Sequence, residues 1–191
     1  YYIDCCIRRE FSNTMSNLLV QNIKHTNDTT AMTVDSSGRI TYPNRVVFEA
    51  WYTGSNLSFS TGSDQALVYN NVEQQGGTNY STSTGKFTVP ITGFYCFTLK
   101  NNFYNIAADN TMYHGLIQNG SGFGTDEDTI EEYMTSSHAT LDYILSSTII
   151  RKYTSGDTLQ PYVRVSDAGN GTGRTDNDGK HYQVFAGFLL A

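Results

Sequence analysis

The stretch YSTSTGKFTVPITGFYCFTL, residues 80–99, decides the fold of this chain. It opens on a Ser/Thr/Gly turn, runs through Gly85-Lys86-Phe87-Thr88-Val89-Pro90, turns at Thr92-Gly93 and leaves through Phe94-Tyr95-Cys96-Phe97-Thr98-Leu99. Lys86, Thr88 and Pro90 alternate with Phe87, Val89 and Ile91, the period-two pattern of a strand with one buried face. Pro90 ends that run, because it has no backbone donor and fits only the edge or end of a strand. In the second run Phe94, Cys96 and Thr98 face one way, and Tyr95, Phe97 and Leu99 the other. Bulk on both faces predicts a central strand. The whole stretch reads as two short strands joined by a tight reversal.

The pattern repeats on both sides of this stretch. Residues 45–52 (RVVFEAWY) predict the first core strand, and residues 57–59 and 66–69 two short ones. Residues 101–110 read as a loop and 112–118 as a strand. Residues 141–153 follow as a strand with Leu145, Ile149 and Ile150 in the core, then 159–165, and 182–190 close the sheet. Composition agrees, since 14 Tyr and 10 Phe against 4 Met and 1 Trp, with abundant Thr, Ser and Gly, favour strands and turns over helices. About ten short strands punctuated by turns predict an all-β antiparallel sandwich. The 191 residues suffice for one domain of ordinary size with an appendage.

The spacing of Tyr80, Phe87, Gly93, Tyr95 and Phe97 resembles the signature of the complement component 1q globular head, in the superfamily that includes the tumour necrosis factors. Upstream, where that signature carries Phe and then Asn or Asp, this sequence has Tyr69 and Gln75. Three further landmarks keep the family's order. Gly115-Leu116-Ile117-Gln118-Asn119-Gly120 resembles its middle strand and Asn-Gly turn, Ser155-Gly156-Asp157 its Gly-Asp turn, and Val184-Phe185-Ala186-Gly187-Phe188-Leu189-Leu190 its closing strand. The resemblance covers residues 46–191. It implies a jelly roll, trimeric assembly, calcium in some members and, in invertebrates, lectins of innate immunity.

Residues 1–45 stand outside it, as an N-terminal helical, oligomerising segment with a linker. Phe11, Met15, Leu18, Asn22 and His25 recur at alternating spacings of four and three, a heptad seam that predicts a short helix over residues 7–26. An isolated helix of this length is marginal in water, so it needs a partner: its own domain, or the same helix of sister chains, as the resembled family's oligomerising stems suggest. The segment carries no Gly-X-Y repeat, so that stem would not be collagen. Residues 34–40 (VDSSGRI) read as a hairpin about a Ser-Ser-Gly turn.

The net charge of -6, with scattered Lys and Arg, speaks against nucleic-acid or anionic-membrane partners, and no run of about 18 apolar residues is present to span a membrane. A first residue of Tyr, not Met, fits a mature, secreted chain. So do the glycosylation triplets at Asn27, Asn56, Asn79, Asn119 and Asn170. Adjacent Cys5 and Cys6 suit inter-chain disulfides in an oxidising compartment, while Cys96 is expected as a buried free thiol. Catalysis is not expected: the four histidines accompany no G-x-S-x-G elbow, the Gly-rich runs read as turns, and no zinc spacing exists.

Two acidic stretches offer calcium oxygens, residues 126–132 (with Asp126 and Asp128) and 176–179; both also read as solvated loops. The stretch SDAGNGTGRTDNDGKH, residues 166–181, has no apolar side chain larger than Ala. A loop that long inside a compact domain is functional or disordered. Asn170, Arg174, Asp176, Asn177, Asp178 and His181, with Tyr162, Arg164 and Tyr182 beside them, combine amides and carboxylates for vicinal hydroxyls, aromatic faces for a sugar ring and cations for an acidic sugar. The expected function is therefore a secreted, multivalent lectin, with sialic acid or another acidic sugar as an attractive ligand. A cytokine-like ligand of a protein receptor and a structural matrix protein are the alternatives.

Overall fold

The computed structural model describes residues 21–59, 62–120, 128–138, 141–166, 171–173 and 182–190, among which every regular element is a strand. The chain divides into two compact units, Tyr1–Pro43 and Asn44–Ala191. In the first, β1 (Asn22–Lys24), β2 (Thr30–Val34) and β3 (Ile40–Thr41) form a three-stranded antiparallel sheet. The expected helix over residues 7–26 lies mostly outside the described residues, and β1 overturns its last turn. Local turn chemistry explains the strand. Asp28 takes a left-handed φ of 69°, its N–H donates to the carbonyl of His25, and Lys24 reaches its carboxylate, so the chain reverses directly after Lys24. The Ser36-Ser37-Gly38 hairpin forms as expected, with the Asp35 carboxylate accepting from the N–H groups of Ser37 and Arg39.

The second unit holds two antiparallel sheets. One comprises β4 (Val47–Trp51), β5 (Leu57–Phe59), β7 (Asn71–Gln75), β10 (Gly93–Tyr104), β13 (Tyr143–Tyr153), β15 (Gly171–Gly173) and β16 (Val184–Leu189). The other comprises β6 (Gln65–Ala66), β8 (Tyr80–Ser81), β9 (Lys86–Thr88), β11 (Thr111–Gln118), β12 (Asp128–Thr135) and β14 (Thr158–Val165). This is the jelly-roll sandwich. β10 is central as predicted, flanked by β13 on one side and by β16 and β15 on the other.

Four expectations change. Residues 80–99 do not form a hairpin, because β9 pairs with β8 and β14 while β10 pairs in the opposite sheet. Pro90 and the turn after it carry the chain between sheets. β10 runs to Tyr104, so residues 101–104 are strand and not loop. The second half of the acidic stretch is strand β12, paired with β11. The long polar loop is pinned at its middle by β15, which lies between β5 and β10.

Strand parity then sorts the side chains. Tyr95, Phe97, Leu99 and Phe103 point inward, as do Phe87 and Val89, and all are buried. Cys96 is therefore turned to the outer face, where it is half-buried and free, not buried as expected. Ile150 is 62 % exposed for the same reason, since Leu145 and Tyr153 take the inward positions of β13. Ile91, past the end of β9, is exposed too, although the Tyr95 hydroxyl donates to its carbonyl at 2.7 Å. The centre of the core is aromatic: Phe48 stacks on Phe87 at 4.5 Å between centroids and meets Phe185 edge-on at 4.9 Å, and Phe97 lies 5.4 Å from Phe87. β16 approaches so closely that a Cβ on Gly187 would stand 2.3 Å from the Phe97 ring. Phe97→Ala is expected to cost about 3–5 kcal/mol in urea unfolding, and Gly187→Ala to destabilise although it adds only a methyl group; an unchanged midpoint for either contradicts this packing.

Candidate functional site

Arg164 and Tyr162, two of the expected binding residues, lie on the outer face of the six-stranded sheet. Register places Tyr133 of β12 opposite Tyr113 of β11, and Tyr113 opposite Arg164 of β14. The Arg164 guanidinium lies over the Tyr113 ring at 4.3 Å, and its Nη1 donates to Asp64 at 3.2 Å. Tyr113 and Tyr133 are 5.7 Å apart at an interplanar angle of 37°, and Tyr133 is 67 % exposed. The row thus runs from an ion pair through a stacked cation to an open aromatic face.

Tyr162 is one step along β14, opposite Ala66 and Gly115. It is only 7 % exposed, packed with Ile117, Ala66 and Tyr113. Burial, with the Asp64 carboxylate adding to it, raises its hydroxyl pKa above the ordinary value. Tyr162 therefore packs beside the row, on the same face of β14 as Arg164. Tyr182 stands half-buried just before β16, on the other sheet, so the structure does not bring it into the row. Asn170, Arg174, Asp176, Asn177, Asp178 and His181 lie outside the described residues, as does Asp126; Asp128 opens β12. Among the described residues no three acidic, His or Cys side chains gather as a metal site. Asp64, Tyr113 and Tyr133 were not singled out from sequence, because only the register joins them.

The glycosylation triplets differ in setting. Asn27 and Asn56 are exposed. The Asn79 amide donates to the Gly76 carbonyl at 3.2 Å, and that of Asn119 to Asp157 at 2.9 Å while its Oδ1 accepts from the Thr158 N–H at 2.7 Å. The Asn119 side chain thus bridges the Asn-Gly and Gly-Asp turns; desolvation raises the Asp157 pKa, but bonds from Asn119 and the Thr154 N–H outweigh it and draw it down. Asn170 lies outside the described residues.

The sequence profile of the C1q domain matches residues 50–190. The chain belongs to the C1q domain family. The globular domain of zebrafish complement 1qA protein superposes with a TM-score of 0.55 at 14 % identity, covering 77 % of this chain and 98 % of that one. The Eiger TNF structure from S. frugiperda gives 0.55 at 16 %, covering 78 % and 94 %, and murine APRIL at pH 5.0 gives 0.54 at 13 %, covering 76 % and 99 %. At such identities these neighbours establish a shared fold, that of the C1q and tumour necrosis factor superfamily.

Two other features of this C1q domain are chemically distinct. On the outward face of the seven-stranded sheet, Ile150, Cys96, Phe188 and Val47 stand opposite one another across β13, β10, β16 and β4. Phe94, 50 % exposed, adjoins this apolar row. Between the sheets runs a polar column. The buried Tyr69 hydroxyl donates to Asn101 Oδ1 at 2.8 Å, which turns the Asn101 amide nitrogen to His114 Nδ1 at 3.2 Å. Nδ1 accepts, so the His114 proton sits on Nε2, facing Glu132 Oε2 at 3.1 Å and Ser147 Oγ at 2.7 Å; Ser147 also donates to Glu132. Because Nε2 holds a proton, it cannot take one from Ser147, and the trio forms no nucleophile-base pair.

Burial lowers the His114 pKa, and the Glu132 carboxylate only partly opposes that. The unfolded chain, with histidine near about 6.5, thus binds a proton that the fold rejects. The stability from neutral His114 is complete above that pH and is lost as pH falls below it toward the folded value. Melting temperatures should drop between pH 7.5 and 5, and His114→Gln should flatten that segment of the curve; an equal slope in the variant rules out His114 as the cause.

Proposed function

We propose that this C1q domain is a secreted, multivalent recognition protein of the lectin type. The observation that carries the reading is the Tyr133–Tyr113–Arg164 row, an open aromatic face beside fixed polar groups on rigid strands. Sugar rings stack on such faces, and hydroxyls bond to the polar groups at their edge. The residue 166–181 loop leaves β14 two positions after Arg164, so Asn170, Arg174, Asp176, Asn177, Asp178 and His181 are the proposed source of further contacts. Arg164 is already paired with Asp64, which favours neutral hydroxyls at that point, so Arg174 is the proposed partner of an acidic sugar such as sialic acid. Calcium, if used, would involve the acidic stretch with Asp126 and Asp128.

Single-site sugar binding is weak, and trimeric display through the Ile150–Cys96–Phe188–Val47 face supplies avidity. Among the described residues no helix is long and apolar enough to cross a membrane. The second reading, a cytokine-like ligand of a protein receptor, is favoured by the likeness to Eiger TNF and APRIL; free sugar would block the first and leave the second unaffected.

A glycan array with calcium and again with chelator tests the lectin reading, and blank arrays under both conditions turn it to the receptor. Tyr133→Ala is expected to weaken glycan binding about two- to tenfold, for loss of an aromatic contact of about 0.5–1.5 kcal/mol, with the melting temperature unchanged. Ile150→Asp is expected to shift the mass in light scattering from trimer to monomer; a trimer surviving it places the contact elsewhere.

A further inference from the structure

Tyr133 is 67 % exposed, the most open tyrosine among the described residues. Its ring rests on Tyr113, and no hydrogen bond among the described residues engages its hydroxyl. β12, which carries it, pairs only with β11 among the described strands, so it is the edge of its sheet and its second row of backbone groups joins no ladder. Five of the seven residues before Tyr133 are acidic: Asp126, Glu127, Asp128, Glu131 and Glu132. Residues 101–150 contain no Lys or Arg to offset them. Across the sheet, Arg164 stacks on Tyr113 and is already paired with Asp64. The other open tyrosines described are set differently. Tyr42 lies between Arg39 and Arg45, and Tyr104 has a single acid, Asp109, within five residues.

We propose that Tyr133 is a tyrosine sulfation site, the acceptor of a sulfuryl group from phosphoadenosine phosphosulfate in the secretory pathway. The phenol hydroxyl is the nucleophile, and it stands open to solvent. A transferase that holds a polyanionic donor has a basic cleft, and an acceptor segment of carboxylates without cations is steered into it. An edge strand adds a backbone in the extended form that a partner can grip as a further strand. The Tyr133 oxygen forms a bond to sulfur as the bond from sulfur to the donor's phosphate oxygen breaks. The phenol proton passes to a base of the transferase, phosphoadenosine phosphate leaves, and no oxidant or reductant takes part. The ester places a fixed negative charge at the open end of the Tyr133–Tyr113–Arg164 row, which draws basic partners and opposes acidic ones. The inference rests on the secreted half of the proposed function and not on sugar binding.

The test incubates the full chain with tyrosylprotein sulfotransferase and phosphoadenosine phosphosulfate carrying radioactive sulfur. The unaltered chain should take up one label. Tyr133→Phe should abolish that uptake, whereas Tyr42→Phe and Tyr104→Phe should leave it unchanged. A second variant keeps the nucleophile and removes charge beside it: Asp128→Asn with Glu131→Gln should slow labelling about tenfold at low salt, as loss of electrostatic steering implies, and added salt should narrow the gap. No uptake by the unaltered chain, uptake that survives Tyr133→Phe, or an unchanged rate in the double variant overturns the inference. The purified reaction reads the site whether or not the chain is secreted, and recovery of the chain from the medium of producing cells tests secretion by itself. A chain that is labelled in the purified reaction but found only inside those cells ends the secreted reading, and with it sulfation in the cell.

Discussion

Phe97 is the contact on which the rest of the domain depends. Phe48, Phe87, Tyr95, Tyr153 and Phe185 all lie within 6.2 Å of its ring centre. Phe87 comes from the six-stranded sheet and the others from the seven-stranded one, so this cluster joins the layers. The ring fits only because β16 carries Gly187 opposite Phe97. With that approach fixed, the registers of β13, β10, β16 and β4 follow, and so does which side chain of each strand faces out. The Ile150–Cys96–Phe188–Val47 row is thus a consequence of core packing, read on the reverse of the pleat.

The polar column from Tyr69 to Glu132 adds direction to this packing. Tyr69 stands where the family signature has Phe, and its hydroxyl has Asn101 to receive it. Tyr80 contributes too: its hydroxyl donates to the Tyr69 carbonyl at 3.3 Å and accepts from the Tyr69 N–H at 3.0 Å. Burial raises the Tyr80 pKa well above its ordinary value, and burial likewise pushes Tyr69 up, so both hydroxyls stay protonated as donors. Each polar group in the column has a partner, which keeps the burial of His114 from being a net cost at neutral pH.

The surfaces proposed for function are ones that the core does not need. The outer face of the six-stranded sheet carries Tyr133, Tyr113 and Arg164, and that of the seven-stranded sheet carries one apolar row, Ile150–Cys96–Phe188–Val47, beside polar positions such as Thr98 and Thr148. The first suits a polar ligand with a flat ring, the second a dry protein contact.

The sequence by itself determined the fold class, the central position of the strand from Gly93, the hairpin at Gly38 and the family, because each is written in local signals: alternation, turn residues and motif spacing. It also singled out Arg164 and Tyr162, which the register puts on the same face of β14, Tyr162 buried there. It did not reveal that the two runs of residues 80–99 part into different sheets, that Asn22–Lys24 is a strand, or that Ile150 and Cys96 face outward while Leu145 faces in. Tertiary structure decided these, since sheet assignment and parity depend on which strand lies beside which. The Tyr133–Tyr113–Arg164 row is the clearest case: its members are far apart in sequence and adjacent only through the β12–β11–β14 register, a non-local pairing that no local pattern encodes.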